Sequence, residues 1–183
     1  AYLHHTRDIG LVYQATVDPL PRAMCDADWA PRHSTSGWAI WFGGALVAWA
    51  SKKQQCVALS TTEAEIMAAS MAAADVMYVR ALLEQMGMRR AVSVPTRLWV
   101  DNHSAVCVAG AALSTKVLKH MARRWYYIRE LVSEKFITVP HVRTDFNISD
   151  IFTKALAPDK HRTFARWLMQ ADADGFVAMP TWM

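Results

Sequence analysis

Four acidic residues stand where a chain of this pattern could use them for chemistry: Asp26 in "CDADWA", Glu65 in "STTEAE", Asp101 in "LWVDN" and Asp150 in "NISDIF". If "CDADWA" is a strand, Asp26 and Asp28 share a face, because side chains alternate along it. Burying two carboxylates side by side is costly. Either the stretch is a surface turn, or a positive charge stands there that the sequence does not name. Carboxylates that converge on one spot repel one another without cations. Oxygen-only ligands select hard ions such as Mg²⁺ or Mn²⁺, and two such ions about 4 Å apart form a clamp for phosphodiester hydrolysis. The same acids also have an ordinary explanation. Carboxylates favour helix starts, so Asp150 fits a first-turn acid, and Glu63 fits a capping box with Ser60. Glu65 has no such explanation and shares a helix side with Ala69 and Ala72. Spacing alone leaves both readings open and does not favour the metal site.

The elements that must position these acids are legible from local signals. A strand is predicted from Arg22 to Trp29. "TSGWAIWF" reads as a second strand with Trp38, Ile40 and Phe42 on one face, and Gly43-Gly44 is a two-residue hairpin signal. "ALVAWASKK" returns as the third strand. The Ala- and Met-rich stretch from Ser60 to Gly87 is the strongest helix. "TRLWVD" reads as a fourth strand ending in Asp101, with a helix beginning at "NHSAVCVAGAAL". "KHMARRWYYIRELVSEK" is a further helix, and "FITVPHV", interrupted by Pro140, a last strand. "NISDIFTKAL" is predicted to open another helix, "DKHRTFARWLMQ" a final one after Pro158, and the tail from Ala171 to be loose. This order describes an α/β fold, a five-stranded mixed sheet flanked by helices. Trp38, Trp41, Trp49, Trp99, Trp125 and Trp167 are assigned to the core.

The chain has 183 residues, a net charge of +4 and three cysteines far apart in sequence. That size suits one domain with short appendages. The mild basic bias is compatible with a polyanionic partner. Unpaired, scattered cysteines without zinc spacing read as reduced residues of an intracellular protein. No apolar run reads as membrane-spanning, so no membrane partner is expected. The opening "AYLHHTRDIG" lacks an initiator Met and reads as cut from a longer chain.

Six blocks, "CDADWA", "STSGW", "SKKQQCVALSTTEAEIMA", "VDNHSA", "KHMARRWYYIRE" and "DIFTKAL", resemble the ribonuclease H domain of copia-type LTR retrotransposons, in the family's order. The resemblance covers roughly residues 22–168. It implies a ribonuclease H-like fold and a catalytic, metal-binding set of Asp26, Glu65, Asp101 and Asp150, holding two Mg²⁺ or Mn²⁺ ions. Read from their places, Asp28 caps a turn or supports that set, and His141, at the end of the last strand, is a helper or a structural residue. The implied activity is endonucleolytic hydrolysis of the RNA strand of an RNA/DNA hybrid, leaving 3′-hydroxyl and 5′-phosphate ends, during reverse transcription. The implied partners are the hybrid and a covalently linked reverse transcriptase. The implied location is intracellular and cytoplasmic, in the virus-like particle of the element. On this reading residues 1–20 are the end of the preceding reverse-transcriptase segment, 21–170 the ribonuclease H domain and 171–183 a tail. The chain departs from the family at Met24, Ala122 and Tyr126, where an aromatic residue, an Asp and a His are usual.

A hybrid is recognised by its shape and its 2′-hydroxyls, and its phosphates need cations. The polar candidates are Gln54, Asn102 and Ser104, with Ser60 and Thr62 nearby. The cationic candidates are Lys52, Lys53, Lys116, Lys119, Arg123 and Arg124, of which 116, 119 and 123 share a helix face. Two alternatives stay open: a non-catalytic module that only holds the hybrid for a polymerase, and a relative that cuts DNA.

Overall fold

The computed structural model describes residues 4, 7, 10–13, 19–103, 106, 122–169, 171–172 and 175–176. Three antiparallel strands come first: β1 (Arg22–Asp28), β2 (Thr35–Phe42) and β3 (Ala45–Lys53). Gly43 and Gly44 both have positive φ, 59° and 81°, which is the backbone that a two-residue turn between right-twisted strands requires. The long helix α1 (Thr61–Gln85) crosses over to β4 (Thr96–Trp99), which lies parallel to β1. Helix α2 (Ala122–Ser133) leads to β5 (Ile137–Thr138), and α3 (Pro158–Met169) follows, with Pro158 at its first position. The sheet order is β3-β2-β1-β4-β5. This is the predicted five-stranded mixed sheet.

Alternation along the strands gives the sheet two buried faces. Ala23, Cys25, Trp38 and Ile40 pack under α1 and α2 with Ile66, Val76, Trp125 and Ile128. Met24, Ala39, Trp41 and Trp99 pack on the other face with Ile148, Phe164 and Leu168. Trp49 was assigned to the core but is 57% exposed, because β3 is an edge strand and the second layer does not cover it.

Helix α1 is fixed at both ends. The Ser60 hydroxyl accepts the Glu63 N–H at 3.2 Å, and the Glu63 carboxylate accepts the Leu59 N–H at 2.8 Å, one residue before the cap. At the far end Gly87 has φ 80°, with Met88 N–H on Leu83 O and Gly87 N–H on Glu84 O, both 2.9 Å. That pair of bonds is a Schellman stop. Contrary to the sequence expectation, α1 is long and apolar enough to cross a membrane by length and composition, yet most of its apolar stretch is buried against the sheet. The Arg80 guanidinium donates to Val92 O, Val94 O and Thr96 Oγ1, tying α1 to the entry of β4.

Two elements differ from expectation. The stretch after Asn147 is a 3₁₀ turn, Ile148–Phe152, rather than an α-helix. Its bonds run three residues back: Asp150 N–H to Asn147 O at 3.1 Å and Thr153 N–H to Asp150 O at 3.2 Å. The Asn147 side chain starts it by accepting the Ser149 N–H, and Pro158 then opens α3 as a separate helix. The tail, expected to be loose, pairs Ala171–Asp172 with Gly175–Phe176 as a short antiparallel ladder, β6 and β7.

Candidate active site

Parallel pairing sets β1 and β4 level, with Met24 beside Trp99. Two residues further along each strand stand Asp26 and Asp101, so the sheet itself makes them neighbours. Glu65 comes from the first turns of α1 and arrives from the other side of β1. Its Oε1 accepts the Ala27 N–H at 3.2 Å. One carboxylate oxygen from each of Asp26, Glu65 and Asp101 lies within 4.8 Å of the other two. Asp26 and Glu65 are buried and Asp101 is half-buried.

Thr153 and Asn147 fix the 3₁₀ turn against this trio. The Thr153 hydroxyl donates to Asp26 Oδ2, and Asn147 Nδ2 donates to Cys25 O at 3.1 Å. The turn can approach because Gly37 lies beneath it: a Cβ there would be 2.7 Å from both Phe152 Cβ and Thr153 Cγ2. Asp150 is fully buried in the turn. Its oxygens do not join the trio. Oδ1 is 2.8 Å from Lys154 Nζ and Oδ2 is 2.8 Å from Lys160 Nζ. Lys154 Nζ is also 3.7 Å from Asp26 Oδ2.

The electrostatics follow from burial. Desolvation raises Asp26 from its ordinary value of 3.8 to about 6, against the Thr153 hydrogen bond and the Lys154 charge, with Asp150 and Asp101 raising it further. Burial raises Glu65 from 4.5 to about 9, helped by Asp26 and Asp101 and opposed by the Ala27 N–H and Lys154. The Cys25 thiol behind them is pushed well up by burial and by the same three acids. For Lys154, burial alone would lower its value, but the Asp150 hydrogen bond and the surrounding acids outweigh it and raise it. Glu65 Oε2 is buried with no hydrogen-bond partner. Such an oxygen, on a residue grouped with two other carboxylates, fits a cation ligand. An all-oxygen donor set of this kind fits a hard divalent cation.

No family model matches the chain. Its sequence is 32% identical over 147 residues to the retrovirus-related Pol polyprotein from transposon TNT 1-94 of Nicotiana tabacum, across 78% of this chain and 11% of that one. It is 30% identical over 169 residues to the Pol polyprotein from transposon RE2 of Arabidopsis thaliana, across 90% of this chain and 12% of that one. The chain therefore spans about a tenth of the length of these curated relatives. Its fold is similar to that of LC11-RNase H1 solved in complex with an RNA/DNA hybrid, with a TM-score of 0.55 and 15% identity over 73% of this chain and 93% of that one. The chain is a ribonuclease H-like domain of the retrotransposon Pol kind.

Within this ribonuclease H-like domain the other sequence candidates are placed unevenly. Lys52 and Lys53 are exposed on β3 and pair with Ser36 and Thr35, so they stand at the same end of the sheet as Asp26. Lys53 Nζ donates to Thr35 Oγ1 at 2.8 Å, and Lys52 Nζ is 5.2 Å from the Trp38 ring centre. Gln54 was expected to face the hybrid but is buried. Its amide donates to Ser36 Oγ at 2.8 Å and Ala64 O at 2.9 Å, so it braces the sheet against α1. Asn102 is half-buried directly after Asp101, and Asp28 is half-buried at the end of β1. Arg123 is exposed on α2, whereas Arg124 is half-buried and donates to Ser70 Oγ at 3.1 Å. Ser104, Lys116 and Lys119 lie outside the described residues. His141 is exposed, with Nε2 3.1 Å from Asp101 O and its ring edge-on to His103 at 5.6 Å.

Sequence reasoning missed Thr153, Asn147, Lys154 and Lys160. Lys154 had a readable signal, since it stands four residues after Asp150, the spacing of a helical ion pair. Lys160 had none, because it arrives from α3 across a break at Pro158.

Proposed function

We propose that this domain is an endoribonuclease that hydrolyses the RNA strand of RNA/DNA hybrids, acting during retrotransposon reverse transcription. The observation that carries the reading is the trio of carboxylate oxygens within 4.8 Å of one another at the ends of the two central strands. Two ions, Mg²⁺ or Mn²⁺, would supply an activated water and charge stabilisation at the leaving 3′ oxygen. Asp26, Glu65 and Asp101 would hold one, and Asp26 with Asp150 the other. The protein's own part is to keep those oxygens aimed. The Ala27 N–H orients Glu65, and the Thr153 hydroxyl orients Asp26. Asn147 clips the turn to the carbonyl of Cys25. Buried walls of Cys25 and the sheet keep the dielectric low, where each charge acts more strongly.

Lys52, Lys53 and Arg123 would take phosphates, and Asn102 beside Asp101 would meet the RNA minor groove, which supports recognition by shape. Residues 21–170 would form the catalytic domain, linked through 1–20 to a reverse transcriptase in the parent polyprotein, with 171–183 as its tail. Activity would be intracellular, in the virus-like particle of the element. The RNA/DNA hybrid in the structure of LC11-RNase H1 supports the choice of substrate.

The test is a cleavage assay on end-labelled RNA given alone, in an RNA duplex and paired with DNA, with Mg²⁺, Mn²⁺ or EDTA. Metal-dependent cutting of RNA only in the hybrid, leaving 3′-hydroxyl ends, is expected. A folded protein that binds the hybrid and never cuts it would put the binding-module reading in its place. Cutting of duplex DNA instead would move the chain to a DNA-cleaving class.

A further inference from the structure

The family resemblance implies Asp150 as a fourth ion ligand, yet both its oxygens already face ammonium groups. Lys154 Nζ is 2.8 Å from Oδ1 and Lys160 Nζ is 2.8 Å from Oδ2. A wholly buried carboxylate needs a positive partner at all times. The two lysines are not equivalent. Lys160 reaches Asp150 from α3 and makes no other ion pair among the described residues. Lys154 lies between two acids, 2.8 Å from Asp150 and 3.7 Å from Asp26. Its side chain is 36% exposed, so it has an open path toward solvent. An ammonium at that point and a divalent ion bridging the same two carboxylates would repel each other strongly and compete for the same oxygens.

We propose that Lys154 is a tethered cation that occupies the Asp26–Asp150 side of the site, and that an ion binds there only by displacing it. Lys154 is thus a positioning residue that sets how tightly the second ion is held. The trio of Asp26, Glu65 and Asp101 fills first, because no ammonium forms an ion pair with Glu65 or Asp101 among the described residues. The Asp150 side fills last and more weakly. Lys160 stays on Oδ2 throughout and keeps Asp150 paired while Lys154 moves. This inference rests on the reading of the trio as ion ligands.

The experiment is a Mn²⁺ titration of the intact chain, without nucleic acid, followed by calorimetry and by the free-Mn²⁺ resonance signal. It compares the native protein with Lys154→Met and Lys154→Arg. The native protein should show one stronger and one weaker step. Lys154→Met should tighten the weaker step by about tenfold or more and leave the stronger one within about twofold. Lys154→Arg, which keeps the charge, should titrate like the native protein. A Lys154→Met titration identical to the native one overturns the inference while leaving the metal site intact. Absence of any Mn²⁺ binding by the native protein overturns the metal reading itself. A measurement on the native chain covers the case in which Lys154→Met does not fold. With ¹⁵N-labelled lysine, the Lys154 ammonium resonance should move during the weaker Mg²⁺ step and stay still during the stronger one. A resonance that stays still through both steps refutes displacement.

Discussion

Gly37 is where the 3₁₀ turn that carries Asp150 meets the sheet, and Gly37→Ala tests the geometry most directly. The added Cβ would stand 2.7 Å from Phe152 Cβ, 2.7 Å from Thr153 Cγ2 and 3.2 Å from Ser149 O. Carbon–carbon contact is comfortable from about 3.5 Å, so the gap must open by roughly 0.8 Å. The sheet side cannot give, because β2 is paired on both edges, with β1 and β3. The turn must therefore lift, carrying Asp150 and drawing the Thr153 hydroxyl off Asp26. Overpacking of this kind costs about 1–3 kcal/mol, which for a chain of this size is a fall of about 2–12 °C in melting temperature. A misplacement near 1 Å at a reacting centre costs on the order of a hundredfold in rate, or about 2.7 kcal/mol in barrier. The assay is hybrid cleavage at saturating substrate and metal, well below the melting midpoint, beside a thermal melt. Full cleavage with an unchanged melt would refute the claim that the turn is pressed on Gly37. A lowered melt with full cleavage would refute only the link from the turn to the site.

Three further outcomes follow from the same geometry. Glu65 keeps a proton in the folded state up to about pH 9 that the unfolded chain releases near 4.5. Its contribution is therefore fully present below about pH 4.5 and is lost as pH rises toward 9, on the order of a few kcal/mol. Urea midpoints in EDTA should fall across that range, Mg²⁺ should flatten the fall, and Glu65→Gln should remove most of it; a native protein whose midpoint rises with pH in EDTA would contradict this. Asp101→Asn should cut cleavage by about a hundredfold or more while hybrid binding persists. Because Asp101 raises both Asp26 and Glu65, this variant should melt no lower than the native protein in EDTA, and a clearly lower melt would argue against repulsion within the trio. Lys52→Ala should weaken hybrid binding and reduce the slope of log affinity against log salt by about 0.8, and an unchanged slope would remove Lys52 from the phosphate contacts.

The sequence was most informative where the controlling interactions are local. The Gly43-Gly44 turn, the Ser60 cap, the Gly87 stop and the apolar run in "TSGWAIWF" place β2, β3 and α1 at the residues expected. Of these, α1 carries Glu65, while Asp26 rides on β1 and Asp101 follows the end of β4. Each of these signals works through bonds spanning a few residues, which composition and spacing can encode.

What only the tertiary structure decided lies between segments distant in sequence. Asp150 was expected in an α-helix, but the close approach to Gly37 goes with a 3₁₀ turn in which two lysines stand against its oxygens. Gln54 has the side chain of a groove-reading residue, yet Ser36 and Ala64 draw it inside. Trp49 alternates like a core residue and is left outside by the edge position of β3. The sequence alone determined which acids exist and on which elements they ride. Only packing determined which carboxylates meet each other and which meet a lysine, because charge placement depends on distances of a few ångströms across chain separations that no local pattern records.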